Sequence, residues 1–265
     1  MLTSLRVGDH ELLKQADGGS GTIPRFGSFI LAPWVGELHK GLLRFSGRTY
    51  QLPTNVGRHA VHGLVFSDPW TLTSRSAASA ILERKLDEPW PFGGLVRQQI
   101  TLTEDAISLV IEVLATEAAM PASVGWHPWF SCTEPAATRV LVHAHQRLEL
   151  DDELIPTGRY LHVSGISDLR TGPILGGRAI DNVYVDVVSP AEIDVPGLRL
   201  SVAFDAHTSI VVVYTSPGSV CVEPWSSWPD ASRMSELGYR TGVTILERGE
   251  TLRRETTWSW QEAET

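Results

Sequence analysis

The run Ala106-Ile107-Ser108-Leu109-Val110-Ile111-Glu112-Val113 decides the fold class of this chain. Ile107, Leu109, Ile111 and Val113 alternate with Ala106, Ser108, Val110 and Glu112, the period of two that a half-buried strand requires. Leu198, Leu200, Val202 and Phe204 repeat the pattern against Arg199, Ser201 and Ala203. Further β-rich runs cover residues 96–102, 140–150, 182–188, 209–215, 219–222 and 251–260. Between them, Ser189-Pro190 and Ser216-Pro217-Gly218 read as turns. The helical signal is confined to residues 231–237, with Asp230 as a candidate N-cap, and amounts to two turns at most. The pattern predicts an all-β protein, a large antiparallel β-sandwich formed as a single domain over residues 1–265. Gly18-Gly19-Ser20-Gly21 reads as a hairpin or loop; it has no third glycine and no helix pattern after it, so it is not a phosphate loop.

Composition narrows the function. The 265 residues carry 22 Lys+Arg against 31 Asp+Glu, a formal net charge of −9. Neutralising phosphates requires clustered Lys and Arg, so nucleic-acid and anionic-membrane partners are disfavoured. The longest β-branched run, Ile210 to Tyr214, is far too short to span a bilayer, and Met1 to Arg6 lacks the basic-then-apolar pattern of a signal peptide. Two cysteines, Cys132 and Cys221, are too few for a disulfide framework or a cysteine-based zinc site. These features predict a cytoplasmic protein, a monomer or homodimer.

Several polar groups lie among the tryptophans. In Gly125-Trp126-His127-Pro128-Trp129-Phe130, Pro128 biases His127 towards an extended backbone and aromatics flank its ring. That suits an imidazole held in one direction for chemistry, or a core histidine bonded to a backbone carbonyl. In Cys221-Val222-Glu223-Pro224-Trp225, Glu223 ends an apolar run and is expected at or near a sheet edge. Partial desolvation there would raise its pKa towards the general-base range; an exposed strand-end glutamate is the alternative. Residues 55–64 carry His59 and His62 before Gly63 with no regular period, as a loop would. Asp181 opens a strand, as a turn residue or a ligand. His143 and His145, two apart, would share one strand face, and with no third ligand nearby they read as polar outer residues rather than a metal site.

Taken in order, these clusters resemble the aldose 1-epimerase (galactose mutarotase-like) family over most of the chain. The match begins with Arg25-Phe26-Gly27-Ser28-Phe29, Ala32-Pro33-Trp34 and Tyr50-Gln51-Leu52-Pro53-Thr54-Asn55. The family's Leu-His-Gly motif appears as Val61-His62-Gly63-Leu64, and its His-Pro-Tyr-Phe motif as His127-Pro128-Trp129-Phe130. Val222-Glu223-Pro224-Trp225 matches the late acidic motif, with Asp181 before the last strands and Leu246-Glu247-Arg248-Gly249-Glu250 as the closing hairpin turn.

The resemblance implies a sugar cleft across one face of the sandwich and an enzyme that interconverts the α and β anomers of a free aldose. Glu223 would be the general base that takes the anomeric hydroxyl proton, and His127 the general acid that protonates the ring oxygen. His62 would hydrogen-bond near the ring oxygen and Asp181 would hold sugar hydroxyls, with no metal and no organic cofactor. Trp34, Trp129 and Trp225 suit stacking under a pyranose or core packing, and Asn55 suits hydroxyl hydrogen bonds. Two positions depart from the pattern: Glu37 replaces an arginine, and His59 an asparagine ahead of the Leu-His-Gly motif. Glu cannot reproduce a guanidinium fork, so either another residue, such as Arg25 or Arg97, takes over that grip, or substrate choice and activity have shifted. Rival readings are a hexose-6-phosphate epimerase, which needs a Lys/Arg cluster in the cleft, and a non-catalytic sugar-binding or regulatory module. A glycoside hydrolase would need Glu223 and Asp181 to flank a scissile bond.

Overall fold

Alternating strands carry one apolar row each, and the chain buries those rows by stacking antiparallel sheets. The computed structural model describes residues 1–18 and 21–262. One sheet has seven strands: Ser28–Leu31 (β1), Gly125–Ser131 (β2), Gln146–Leu150 (β3), Pro156–His162 (β4), Asp181–Val185 (β5), Ile210–Ser216 (β6) and Ser219–Trp225 (β7). Their order across the sheet is β4-β3-β5-β6-β7-β2-β1. The second sheet has eight strands and runs from Arg139–His143 through Val188–Val195, Leu198–Phe204, Thr251–Glu262, Ala106–Leu114, Leu95–Leu102 and Ser79–Lys85 to Thr71–Arg75 at the edge. All strand pairings in both sheets are antiparallel. Among the described residues, no helix is long and apolar enough to cross a membrane.

One continuous core fills the space between the sheets. Trp126, Phe130, Tyr184, Val211, Val213 and Val222 come from the first sheet, and Leu109, Ile111, Val113, Val202 and Trp258 from the second. Trp258 lies opposite Ile107 and Val202 in register and meets Phe130 edge-on at 5.1 Å, so the tryptophan-rich last strand closes the core of its own chain. A second apolar cluster covers the other face of the seven-stranded sheet, with Phe29, Leu31, Trp129, Val183, Val185, Val212, Cys221 and Trp225. That outer face carries the site.

The structure revises several local expectations. Residues 140–150 are two strands in different sheets, because the apolar alternation continues across Ala144 and His145 while the chain changes sheet. His143 therefore ends one strand and His145 lies beyond it, its Nδ1 3.0 Å from Arg170. The run at 182–188 also divides, at Asp186 with φ 50°. Ser189-Pro190 is inside the strand Val188–Val195, not in a turn; the register slips between Leu141 and His143 opposite, so no ladder N–H is needed from Pro190. The helix spans Ala231–Glu236 with Asp230 at the N-cap position, but the Asp230 side chain makes no capping hydrogen bond. Asp230 adopts φ 49° and its carboxylate accepts from Arg233 and from the backbone N–H of His39. Gly19 and Ser20 of the expected glycine-rich loop lie outside the described residues.

Removing a large side chain from the shared core costs both transfer energy and a cavity. Trp258→Ala should lower unfolding stability by about 3–5 kcal/mol, whereas Leu72→Ala, at a position 50% exposed on the edge strand, should stay within about 0.5 kcal/mol. Urea denaturation of both variants against wild type checks the contrast.

Candidate active site

The register of β2 against β7 brings the two central groups together. The paired residues Gly125↔Trp225 and Trp129↔Cys221 bracket an interval in which His127 falls opposite Glu223. Pro128 and Pro224 withhold two ladder donors within that interval, and the pairing is interrupted there. Directly opposed residues on one face have Cβ atoms about 4.5–5.5 Å apart. The side chains meet accordingly: His127 Nε2 lies 3.4 Å from Glu223 Oε1. Glu223 Oε2 accepts a hydrogen bond from Trp225 Nε1 at 3.2 Å.

Aromatic rings fix the imidazole. Phe29 of β1 is the cross-strand partner of His127 and stacks on it at 4.8 Å. Trp129, two residues along β2, stacks at 5.0 Å with an interplanar angle of 18°. His62 approaches edge-on, 5.2 Å from His127 and 5.9 Å from Trp225. The Glu37–Leu38 strand positions His62 by pairing with Ala60–Val61, and the His62 N–H donates to Gly36 O at 2.9 Å. His62 and Gly63 both take positive φ, and a Cβ on Gly63 would sit 2.0 Å from Ala32 O, so the residue after His62 has to be glycine.

Burial governs the charges. It pushes the Glu223 carboxyl well above its ordinary 4.5, with Asp181 and Glu37 adding repulsion and the Trp225 hydrogen bond opposing it. It holds His127 well below 6.5, and neighbouring His62 acts in the same sense. His62 is lowered to about 3 by burial, and Glu37 is raised to about 8, chiefly by burial, with Asp181 and Asp230 adding to the shift. Asp181, exposed at the rim, is also raised by partial loss of solvent. His127 and Glu223 are 6% and 2% exposed, so the pair lies almost wholly beneath the outer surface of the seven-stranded sheet. Nδ1 of His62, Nδ1 of His127 and Nε1 of Trp129 are buried without a hydrogen-bond partner among the described residues, which leaves polar capacity unspent around the pair. The nitrogen, sulfur and oxygen atoms of His127, Cys221 and Glu223 lie within 4.8 Å of one another.

His127, Glu223, His62, Trp129 and Trp225 thus gather at one place, and Asp181 stands close enough to act on Glu223 and Glu37. Glu223 is not at a sheet edge, because β7 lies between β6 and β2. Asn55 and Trp34 are engaged elsewhere. The Asn55 amide clamps the Val61 backbone, accepting from its N–H at 2.8 Å and donating to its carbonyl at 3.0 Å, which holds the segment before His62. Trp34 belongs to the main core, stacks on Trp90 at 6.0 Å and donates to Ala60 O. Both line a cavity of about 290 Å³ beside the His62 segment, with Leu64, Phe66 and Arg84. Arg97 lies on the eight-stranded sheet, bound to Glu83 and Glu112, and Arg25 is exposed ahead of β1. His59 is buried against His39 and accepts from the Lys40 N–H. Reading by residue type missed Phe29 and Cys221; the register of β1 and β7 against β2 is the signal that places them.

This seven-on-eight antiparallel sandwich, with a histidine–glutamate pair on one outer face, is the scaffold of a known class. The aldose 1-epimerase family matches residues 1–259, and the chain belongs to it. It is 25% identical over 175 residues to human galactose mutarotase, 62% of this chain and 50% of that protein, so it spans about half the length of the curated relatives it matches. Among solved structures, a candidate aldose 1-epimerase from Escherichia coli K12 superposes with a TM-score of 0.86 at 20% identity, covering 98% of this chain and 92% of the other. A GalM/aldose epimerase homologue from C. elegans gives 0.82 at 15% identity over 96% and 89%. These structural likenesses establish the fold.

Glu37 gives a pH test of the cleft's electrostatics. The folded protein holds its proton up to about 8 against an ordinary 4.5, so over that interval the folded state binds the proton more tightly than the unfolded chain and stability falls as pH rises. Glu37→Gln cannot ionise. The melting temperature of the variant minus that of wild type should grow from pH 4.5 to 8 and level off above; a constant gap would contradict the burial of Glu37.

Proposed function

We propose that the chain is a mutarotase-type isomerase, formed as one domain, that opens and recloses the ring of a free aldose. The carrying observation is the 3.4 Å approach of His127 Nε2 to Glu223 Oε1 on the outer face of the seven-stranded sheet. Ring opening requires a proton to leave the anomeric hydroxyl and another to reach the ring oxygen, so a base and an acid must face one sugar together. Glu223 takes the first proton and His127 supplies the second. The C1–O5 bond breaks, the aldehyde forms, and rotation about C1–C2 followed by closure with the roles exchanged gives the other anomer. Burial opposes charge on either group alone, so the pair holds one proton between them, and the reactive arrangement has that proton on the imidazole. Trp225 Nε1 supports the carboxylate on its far oxygen.

Phe29 and Trp129 keep the imidazole plane fixed and shield it from water, which strengthens each hydrogen bond made there. His62 is held neutral and offers its free nitrogen to a ring or hydroxyl oxygen. Asp181 receives sugar hydroxyls at the rim, and Trp225 and Trp129 supply apolar surface. A phosphorylated sugar would meet negative charge from Asp181 and Glu37, which both act on Glu223, while Lys14, the cation over Trp129, is already paired with Asp17.

Freshly dissolved α-glucose or α-galactose, followed by polarimetry or NMR, tests the reading. Wild type should accelerate mutarotation, and Glu223→Gln and His127→Ala should each lose about 10²–10⁴-fold in rate while remaining folded. Sugar binding with no acceleration by wild type would leave a non-catalytic binding module. Release of aglycone from a nitrophenyl glycoside would instead indicate a hydrolase.

A further inference from the structure

The acid–base pair shares its corner of the cleft floor with a side chain that the isomerase chemistry leaves idle. Cys221 precedes Glu223 by two residues on β7, so its thiol projects from the same face. It is fully buried and free of disulfide bonding. His127, Cys221 and Glu223 offer nitrogen, sulfur and oxygen within 4.8 Å of one another, a mixed donor set suited to a borderline-soft dication. Two cysteines are too few for a thiolate-rich zinc site, but a mixed site needs only one.

The distances and surroundings favour such an ion. Zinc bonds to nitrogen and oxygen of about 2.0–2.1 Å imply a tetrahedral edge of roughly 3.3 Å, and Nε2 and Oε1 already stand 3.4 Å apart. Asp181 acts on both Cys221 and Glu223 with negative charge. Lys14, the cation that acts on Cys221, is itself paired with Asp17 at 3.6 Å. One thiolate and one carboxylate neutralise a dication, so occupancy leaves no net charge buried on the floor.

We propose that His127 Nε2, Cys221 Sγ and Glu223 Oε1 form an inhibitory site for a borderline divalent cation, zinc by preference, occupied in competition with the sugar. As the bonds to nitrogen, sulfur and oxygen form, two protons pass to solvent, the thiol proton and the one that His127 and Glu223 hold between them. The three side chains leave a fourth position for water. The inhibitory consequence rests on the acid–base assignment; the binding itself does not.

Cadmium is the direct probe, because a cadmium–thiolate bond gives an ultraviolet charge-transfer band. Wild type and Cys132→Ser should each show the band at one equivalent; Cys132 is buried elsewhere, against Thr138. Cys221→Ser and Cys221→Ala should show none, with thermal unfolding confirming that both are folded. Zinc should raise the apparent KM of wild type for the sugar, and Cys221→Ser should keep its uninhibited rate and need at least about tenfold more zinc. Absence of the band in wild type, its survival in Cys221→Ser, or equal zinc sensitivity of the two proteins would overturn the proposal. A wild type that does not accelerate mutarotation yet gives a Cys221-dependent band would remove the isomerase reading and leave the metal site standing.

Discussion

His127 and Glu223 come from strands far apart in the chain, and only the antiparallel pairing of β2 with β7 puts them opposite each other. A slip of β2 by one residue against β7 would turn His127 into the sandwich core and bring Trp126 out, leaving Glu223 alone on the outer face. The large apolar groups on the inner face forbid the slip: Trp126, Phe130, Val220 and Val222 are all at or below 2% exposure. Core packing thus sets the geometry of the cleft floor to a fraction of a strand repeat. The interruption at Pro128 and Pro224 is tolerated because neighbouring pairs on either side hold the alignment.

Burying an imidazole and a carboxyl together is costly unless they satisfy each other. Here the pair is satisfied partly by itself, partly by Trp225, and polar atoms on His62, His127 and Trp129 are left buried without a partner among the described residues. The surrounding carboxyls make the cleft unusual in charge. Glu37, held in place by the short pairing of Glu37–Leu38 with Ala60–Val61, keeps its proton to about 8 and can therefore donate as well as accept near neutral pH.

Much of this was legible in the sequence, for a physical reason. Alternation along Ala106–Leu114 and Leu198–Phe204 reports a half-buried strand wherever it occurs, and it separates the core-facing Trp126 and Phe130 from His127 and Trp129. What alternation cannot report is which strand lies alongside. Glu223 looked like a strand-end residue because the later chain turns away, yet β7 is interior because an upstream strand pairs with it. The change of sheet after His143 was hidden for the same reason. Residue type alone also cannot say where an amide or an indole spends its hydrogen bonds: Asn55 holds Val61 and Trp34 holds Ala60. Asp230, placed as a helix cap by its position, finds a stronger partner in Arg233.

The most direct measurement of the central claim is a crystal structure of Glu223→Gln soaked with a free aldose. The account requires the anomeric oxygen within hydrogen-bond reach of residue 223 and the ring oxygen within reach of His127, with Trp129 or Trp225 against the sugar's apolar surface. A pyranose bound only in the neighbouring cavity lined by Trp34 and Asn55, or one whose ring oxygen points away from His127, would contradict it.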